Sequence, residues 1–302
     1  MGNKINSDLL KGLAIIAVVA IHSFSTSVGS SPVSLFVDQL SRFAVPLFIA
    51  LSGYGLAMSF AKNNNLIHFY FKRVLKLLPW FVFASVLILI YKGGSDFLNY
   101  HTWTMILRGG ADYHLYFVPM IFRLYLIFPL LFFIVNKFPR LALVAALLTQ
   151  IIWYEYSAGW LDQMQYLRPE SWIFYFVLGI YLIKNKLNFK PLVAIGFIIM
   201  FVHAVYLQSI GTDMILVTRF TRLPVILYAT GFILFFVNWQ VTNKPLEILG
   251  KYSYQIYLLH TLVLRILPNT INPFILTPLV LVLTSLIVYV FTRSLAIFLR
   301  RA

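Results

Sequence analysis

Long apolar stretches constrain this chain more than any other feature. About ten runs of about 17 to 25 residues follow one another, each length matching a helix that crosses a hydrocarbon core about 30 Å thick. They fall at 8–28, 35–60, 73–91, 116–136, 140–157, 171–185, 191–209, 223–240, 251–268 and 274–298. Soluble domains are about half apolar and about a quarter charged. Here 61% of 302 residues are hydrophobic and 11% charged, with a mean hydropathy of +0.85. An all-α, polytopic integral membrane protein with about ten transmembrane helices is expected.

The net charge of +15 would suggest nucleic acid in a soluble protein, but in this chain it follows topology. With the N-terminus in the cytoplasm and strict alternation, Arg42, Lys92, Arg108, Arg123, Arg168, Arg219, Arg222 and Arg265 fall outside. The other 16 of the 24 Lys and Arg residues, from Lys4 to Arg301, fall inside. That bias predicts both termini in the cytoplasm and leaves nucleic-acid binding without support. The chain has no cysteine, which excludes disulfides, thiolate metal sites and a cysteine nucleophile. The first apolar stretch carries an acid before it and many spans after it, so it reads as a retained helix rather than a cleaved signal. There is no internal repeat of the kind found in many transporters. "KNNN" at 62–65 reads as a turn, and the 92–115 connection as partly folded at the membrane surface.

Ionisable groups at membrane depth are costly and mark candidate sites. "DLLKGLAIIAVVAIH" places Lys11 and His22 eleven residues apart, on one helical stripe and about 16 Å apart along the axis. Asp8 falls near the same stripe. In "GKYSYQIYLLH", Ser253, Tyr257 and His260 share a face, with His260 about 14 Å in from Lys251. Either histidine can also be a packing residue whose ring N–H meets a carbonyl. His203, in "FVHAVY", has no charged companion and reads as structural; His68 and His101 fall in connections. Arg42 and Arg123 interrupt apolar stretches, as interfacial anchors, partners of a buried acid or cavity-facing cations.

"FYFKRVLKLLPWF" crowds Lys72, Arg73 and Lys76 into one turn at the start of the third span. Each alone reads as ordinary anchoring; together they suit phosphates. Pro79 is expected to bend or divide this helix and open a cavity beside the cluster. "LSGYG" offers Gly53 and Gly55 for close helix approach.

Six motifs in order resemble those of the membrane acyltransferase family 3, in single-domain members without a fused extracellular domain. "KGLAIIAVVAIH" has that family's spacing of a cation, ten residues and a His, with Lys11 where the family has Arg. "DLLKG", "VPLFIALSGY", "FKRVLKLLP" and "YHLYFVP" follow, the last putting His114 at a motif histidine; "GKYSYQIYLLH" completes the series. Lysine keeps the charge at position 11 and loses the guanidinium fork.

The resemblance implies one transmembrane acyltransferase domain over residues 1–302, in the plasma (bacterial inner) membrane and surrounded by its lipids. It implies transfer of an acetyl group from cytoplasmic acetyl-CoA to a hydroxyl of a cell-surface or lipid-linked glycan, with no metal. His22 would be the catalytic group. Asp8, Lys11, Lys72, Arg73, Lys76, His114, Ser253, Tyr257 and His260 would bind substrate. The competing reading is a carrier or flippase for a lipid-linked sugar or polysaccharide, with His22, His260 and Arg42 along its path. A third is a scaffold for polysaccharide assembly, in which the histidines only pack.

Overall fold

A computed structural model describes residues 5–62, 65–93, 100–157, 163–239 and 241–301. Among these residues every regular element is a helix: α1 (Ser7–Phe24), α2 (Pro32–Leu40), α3 (Ala44–Phe60), α4 (Leu66–Tyr91), α5 (Tyr100–Leu107), α6 (Phe117–Lys137), α7 (Pro139–Tyr156), α8 (Ile173–Tyr181), α9 (Pro191–Ser209), α10 (Met214–Val217), α11 (Leu223–Phe236), α12 (Lys244–Lys251), α13 (Ser253–Ile266) and α14 (Pro273–Arg301). The starts follow local chemistry. Asn6 caps α1 by accepting from the Leu9 amide, and Asp8 in the first turn complements the helix dipole. Pro32, Pro139 and Pro191 open their helices at positions that need no amide donor.

Among the described residues, six stretches are long and apolar enough to cross a membrane: Ser7–Ser27, Pro32–Phe60, Leu66–Tyr91, Phe117–Lys137, Pro191–Ser209 and Pro273–Ser294. Each of the ten apolar runs read from the sequence contains a helix, but α8 has 9 residues and α11 and α13 have 14 each. The second run is one path with a 3-10 turn, Ser41–Phe43, between α2 and α3. The ninth breaks at Tyr252, between α12 and α13. The third starts seven residues earlier than expected, at Leu66, where Asn65 accepts from the His68 amide. His68 therefore lies in a helix, and so does His101, in α5. Helix α4 continues through Pro79 without dividing. Lys4, Asn63, Asn64 and Gly94–Ser95 lie outside the described residues.

The core gathers around α1, α3 and α8; every residue from Phe174 to Tyr181 is buried. Helices α6, α7, α9 and α14 form a periphery that turns Leu126, Leu130, Val144, Ile198, Val202, Val282 and Leu286 outward. Such surfaces suit lipid rather than water. Close helix approach positions the centre. At Gly53 an added Cβ would meet the Phe176 carbonyl oxygen at 2.2 Å, while Gly55 faces open space. The start of α1 interlocks with α12 through one glycine on each: a Cβ on Gly12 would clash with the Leu246 oxygen, and one on Gly250 with the Asp8 oxygen. That clasp holds α12, and with it Lys251, beside Lys11.

Candidate functional site

Three histidines from three separate elements meet at the far end of α1 from Lys11. His22 is in the last turn of α1. Its ring centroid lies 5.2 Å from that of His260 and 6.3 Å from that of His114, and the latter two are 5.1 Å apart. Tyr113 closes one side of His22 at 5.0 Å. His260 and His114 are buried and His22 partly so. His260 Nδ1 lies 2.7 Å from the carbonyl of Tyr257. Since that oxygen only accepts, Nδ1 carries the proton and Nε2 keeps its lone pair. Neither His260 Nε2 nor His114 Nε2 makes a hydrogen bond within the described protein.

Local geometry explains how His114 arrives there. Gly109 adopts φ +76°, and a Cβ on it would press on the Leu115 oxygen at 2.7 Å. The left-handed turn is open to glycine at little cost, and it folds the segment after α5 back over the bundle. The hydroxyl of Tyr257 donates to the His114 carbonyl and pins this segment to α13. Asp112, buried in the same segment, binds Arg265 at 2.7 Å and Lys92 at 3.2 Å. Its burial alone would raise the carboxyl pKa, but the hydrogen bond from Arg265 and the charge of Lys92 hold it below the ordinary carboxylate range.

Two cavities border the cluster, and another lies behind a wall of one of them. A basic-end cavity of about 210 Å³ is lined by Lys11, Lys76 and Lys251, with Ser52, Ser253 and Tyr254. A middle chamber of about 670 Å³ has His22, His114, Arg42 and Tyr166 in its wall. Val18, Val45, Phe117 and Tyr257 line both, so they form the partition between them. A polar vestibule of about 710 Å³ lies beyond His22, among Ser27, Ser34, Tyr91, Asn269, Thr270 and Asn272. His22 borders both the chamber and the vestibule.

These arrangements gain a chemical context from comparison. A family model for an acyltransferase domain, that of acyltransferase family 3, matches residues 4–299. The chain belongs to that family. No curated protein and no solved structure matches it. This membrane acyltransferase therefore places a convergent imidazole cluster at the junction of two cavities, and imidazoles serve acyl transfer as bases and as nucleophiles.

The residues expected from the acyltransferase's sequence fall into two groups. Lys11 and Lys76 line the basic-end cavity with Ser253 and Tyr257, and Asp8 binds Lys11 Nζ at 3.1 Å as an ion pair. His22, His114 and His260 make the cluster. Lys72 and Arg73 do not line the cavity, although Lys76 lies within electrostatic reach of both. Arg73 lies against the ring of Phe69, 5.5 Å from its centroid.

Of the readings left open for Arg42, a partner of a buried acid and a cavity-facing cation both hold. Arg42 is held in a fork by buried Asp38, through Nε at 3.0 Å and through Nη2, and sits over the Phe220 ring. Arg123 donates to the Leu167 carbonyl. His203 does have a charged companion: Arg222 Nη1 lies 3.2 Å from its Nδ1. That contact comes from the start of α11, so no inspection of its own span reveals it. Among the described residues, no group of three or more His, Cys, Asp or Glu is arranged to hold a metal ion.

Proposed function

We propose that this acyltransferase accepts an acetyl group from acetyl-CoA at the cytoplasmic face of the plasma (bacterial inner) membrane. It passes that group to a hydroxyl of a cell-surface or lipid-linked glycan entering from the opposite face. In this reading the chain crosses the membrane ten times, with both termini cytoplasmic. The supporting observation is the seat of His22, between a chamber that shares a partition with a cavity rimmed by lysines and a vestibule lined by hydroxyl and amide side chains. Lysines at a rim suit nucleotide phosphates. A surface rich in hydroxyls and amides suits a sugar.

The phosphates of the donor stay with Lys11, Lys76 and Lys251, with Lys72 and Arg73 adding long-range attraction. The thin, uncharged arm bearing the thioester runs inward toward His22. As general base, His22 takes the proton of the acceptor hydroxyl while oxygen bonds to the carbonyl carbon. The C–S bond then breaks and the sulfur leaves with that proton. As nucleophile, its ring nitrogen carries the acetyl group between the two half-reactions.

The experiment is acetyl-CoA turnover by purified protein. His22→Ala is expected to abolish turnover while acetyl-CoA still binds. Lys11→Ala is expected to raise KM more than it lowers kcat, because a phosphate contact acts alike in the ground and transition states. Robust turnover by a well-folded His22→Ala protein overturns the assignment.

A further inference from the structure

The carboxylate of Asp112 is used unevenly. Arg265 Nη2 at 2.7 Å, Lys92 Nζ at 3.2 Å and the Tyr113 amide at 3.1 Å all bind Oδ1. Oδ2 is buried and makes no hydrogen bond. The charged or titratable group it faces is His114, whose Nδ1 lies 3.7 Å away. Here the two cations and an amide fix one oxygen and leave the other toward an imidazole.

We propose that Asp112 is a positioning residue for acyl transfer: its free oxygen, 3.7 Å from Nδ1 of His114, favours by its charge the tautomer with the proton on Nδ1 and leaves the Nε2 lone pair available to the histidine cluster. The inference rests on the acyl-transfer reading. Buried as it is beside His260, His114 favours its neutral form, so one ring nitrogen carries a proton and the other does not. Asp112 selects which. When an acceptor hydroxyl adds to the thioester carbonyl, its proton enters the cluster at His22 and is shared with His114 Nε2. The imidazolium so formed is stabilised by Asp112, and the proton returns to the departing sulfur as the C–S bond breaks. Arg265 and Lys92, each about a third exposed at 37%, keep the carboxylate charged and aimed. Two other groups compete for the ring: the Thr261 hydroxyl, 3.4 Å from Nδ1, and the Leu258 carbonyl, which accepts a hydrogen bond from it.

The test uses the full-length protein and release of free coenzyme A from acetyl-CoA. Asp112→Asn keeps the shape and an acceptor oxygen for Arg265 and Lys92. It is expected to lower kcat about tenfold or more, within the range that general acid–base groups supply, with KM for acetyl-CoA unchanged. Adding Asp112→Asn to a His114→Gln background is expected to cost nothing further, because the two act as one unit. A kcat equal to wild type in folded Asp112→Asn overturns the proposal, and so does a full additional loss in the double variant. Should Asp112→Asn fail to accumulate, Thr261→Val decides. Unchanged kcat there supports Asp112 as the group that orients the ring, and a loss as large as that of His114→Gln assigns the role to Thr261. A wild-type protein that never turns over acetyl-CoA overturns the acyl-transfer reading itself, a result distinct from an active wild type whose Asp112→Asn variant is equally active.

Discussion

At the scale of single residues, the cluster depends on imidazoles that stay neutral. Burial lowers the pKa of His114 and the neighbouring His260 lowers it further, against the opposing pull of Asp112. A depressed folded value means that the unfolded chain binds the proton first, near the ordinary histidine value of about 6.5. The stability due to neutral His114 is therefore whole above that pH and is lost as pH falls toward the folded value. Thermal unfolding in detergent is expected to shift to lower temperature between about pH 7 and about pH 5, and the shift is expected to shrink in His114→Gln. Equal slopes in the two proteins contradict this. His22 and His260 were legible in the sequence as imidazoles in apolar runs. His114 was legible only through a motif resemblance, because it sits in a connection. Asp112 and Arg265 were not legible as a pair: 153 positions separate them, and periodicity does not say which helix faces which.

At the scale of elements, run length located the long helices but not α5, α10 or α12, which lie in the connections between runs. A stretch such as 171–185 looks like a lipid-crossing segment because it is apolar throughout. Yet α8 is only 9 residues long with every residue from Phe174 onward buried. Apolar composition reports exclusion from water, and protein neighbours exclude water as well as lipid does. The interlock of α1 and α12 was equally hidden, since Gly12 and Gly250 are 238 positions apart by their numbers. The Gly250→Ala substitution would drive a methyl group toward the Asp8 carbonyl. It is expected to destabilise the fold by about 1–3 kcal/mol, the usual range for overpacking, and to weaken acetyl-CoA binding by displacing Lys251 from Lys11. Unchanged thermal stability and KM would show that the two helices can part without consequence.

At the scale of the whole molecule, lysines cluster at one end of the bundle and hydroxyl and amide groups at the other, with imidazoles between. Much of this polarity was visible in the order of motifs along the chain; the cavities were not, because they arise where unrelated helices fail to touch. The thin wall of Val18, Val45, Phe117 and Tyr257 has a consequence for the living membrane. Wetted spaces reaching toward each other from opposite faces would short-circuit a proton gradient if they joined, and an apolar constriction blocks ions by refusing to hold water. On the acyl-transfer reading proposed above, the wall would serve as an electrical insulator that only the uncharged arm of the donor passes. In sealed vesicles, Phe117→Ala is expected to dissipate an imposed pH gradient faster than the intact protein does. Equal decay rates would place the insulation elsewhere in the bundle.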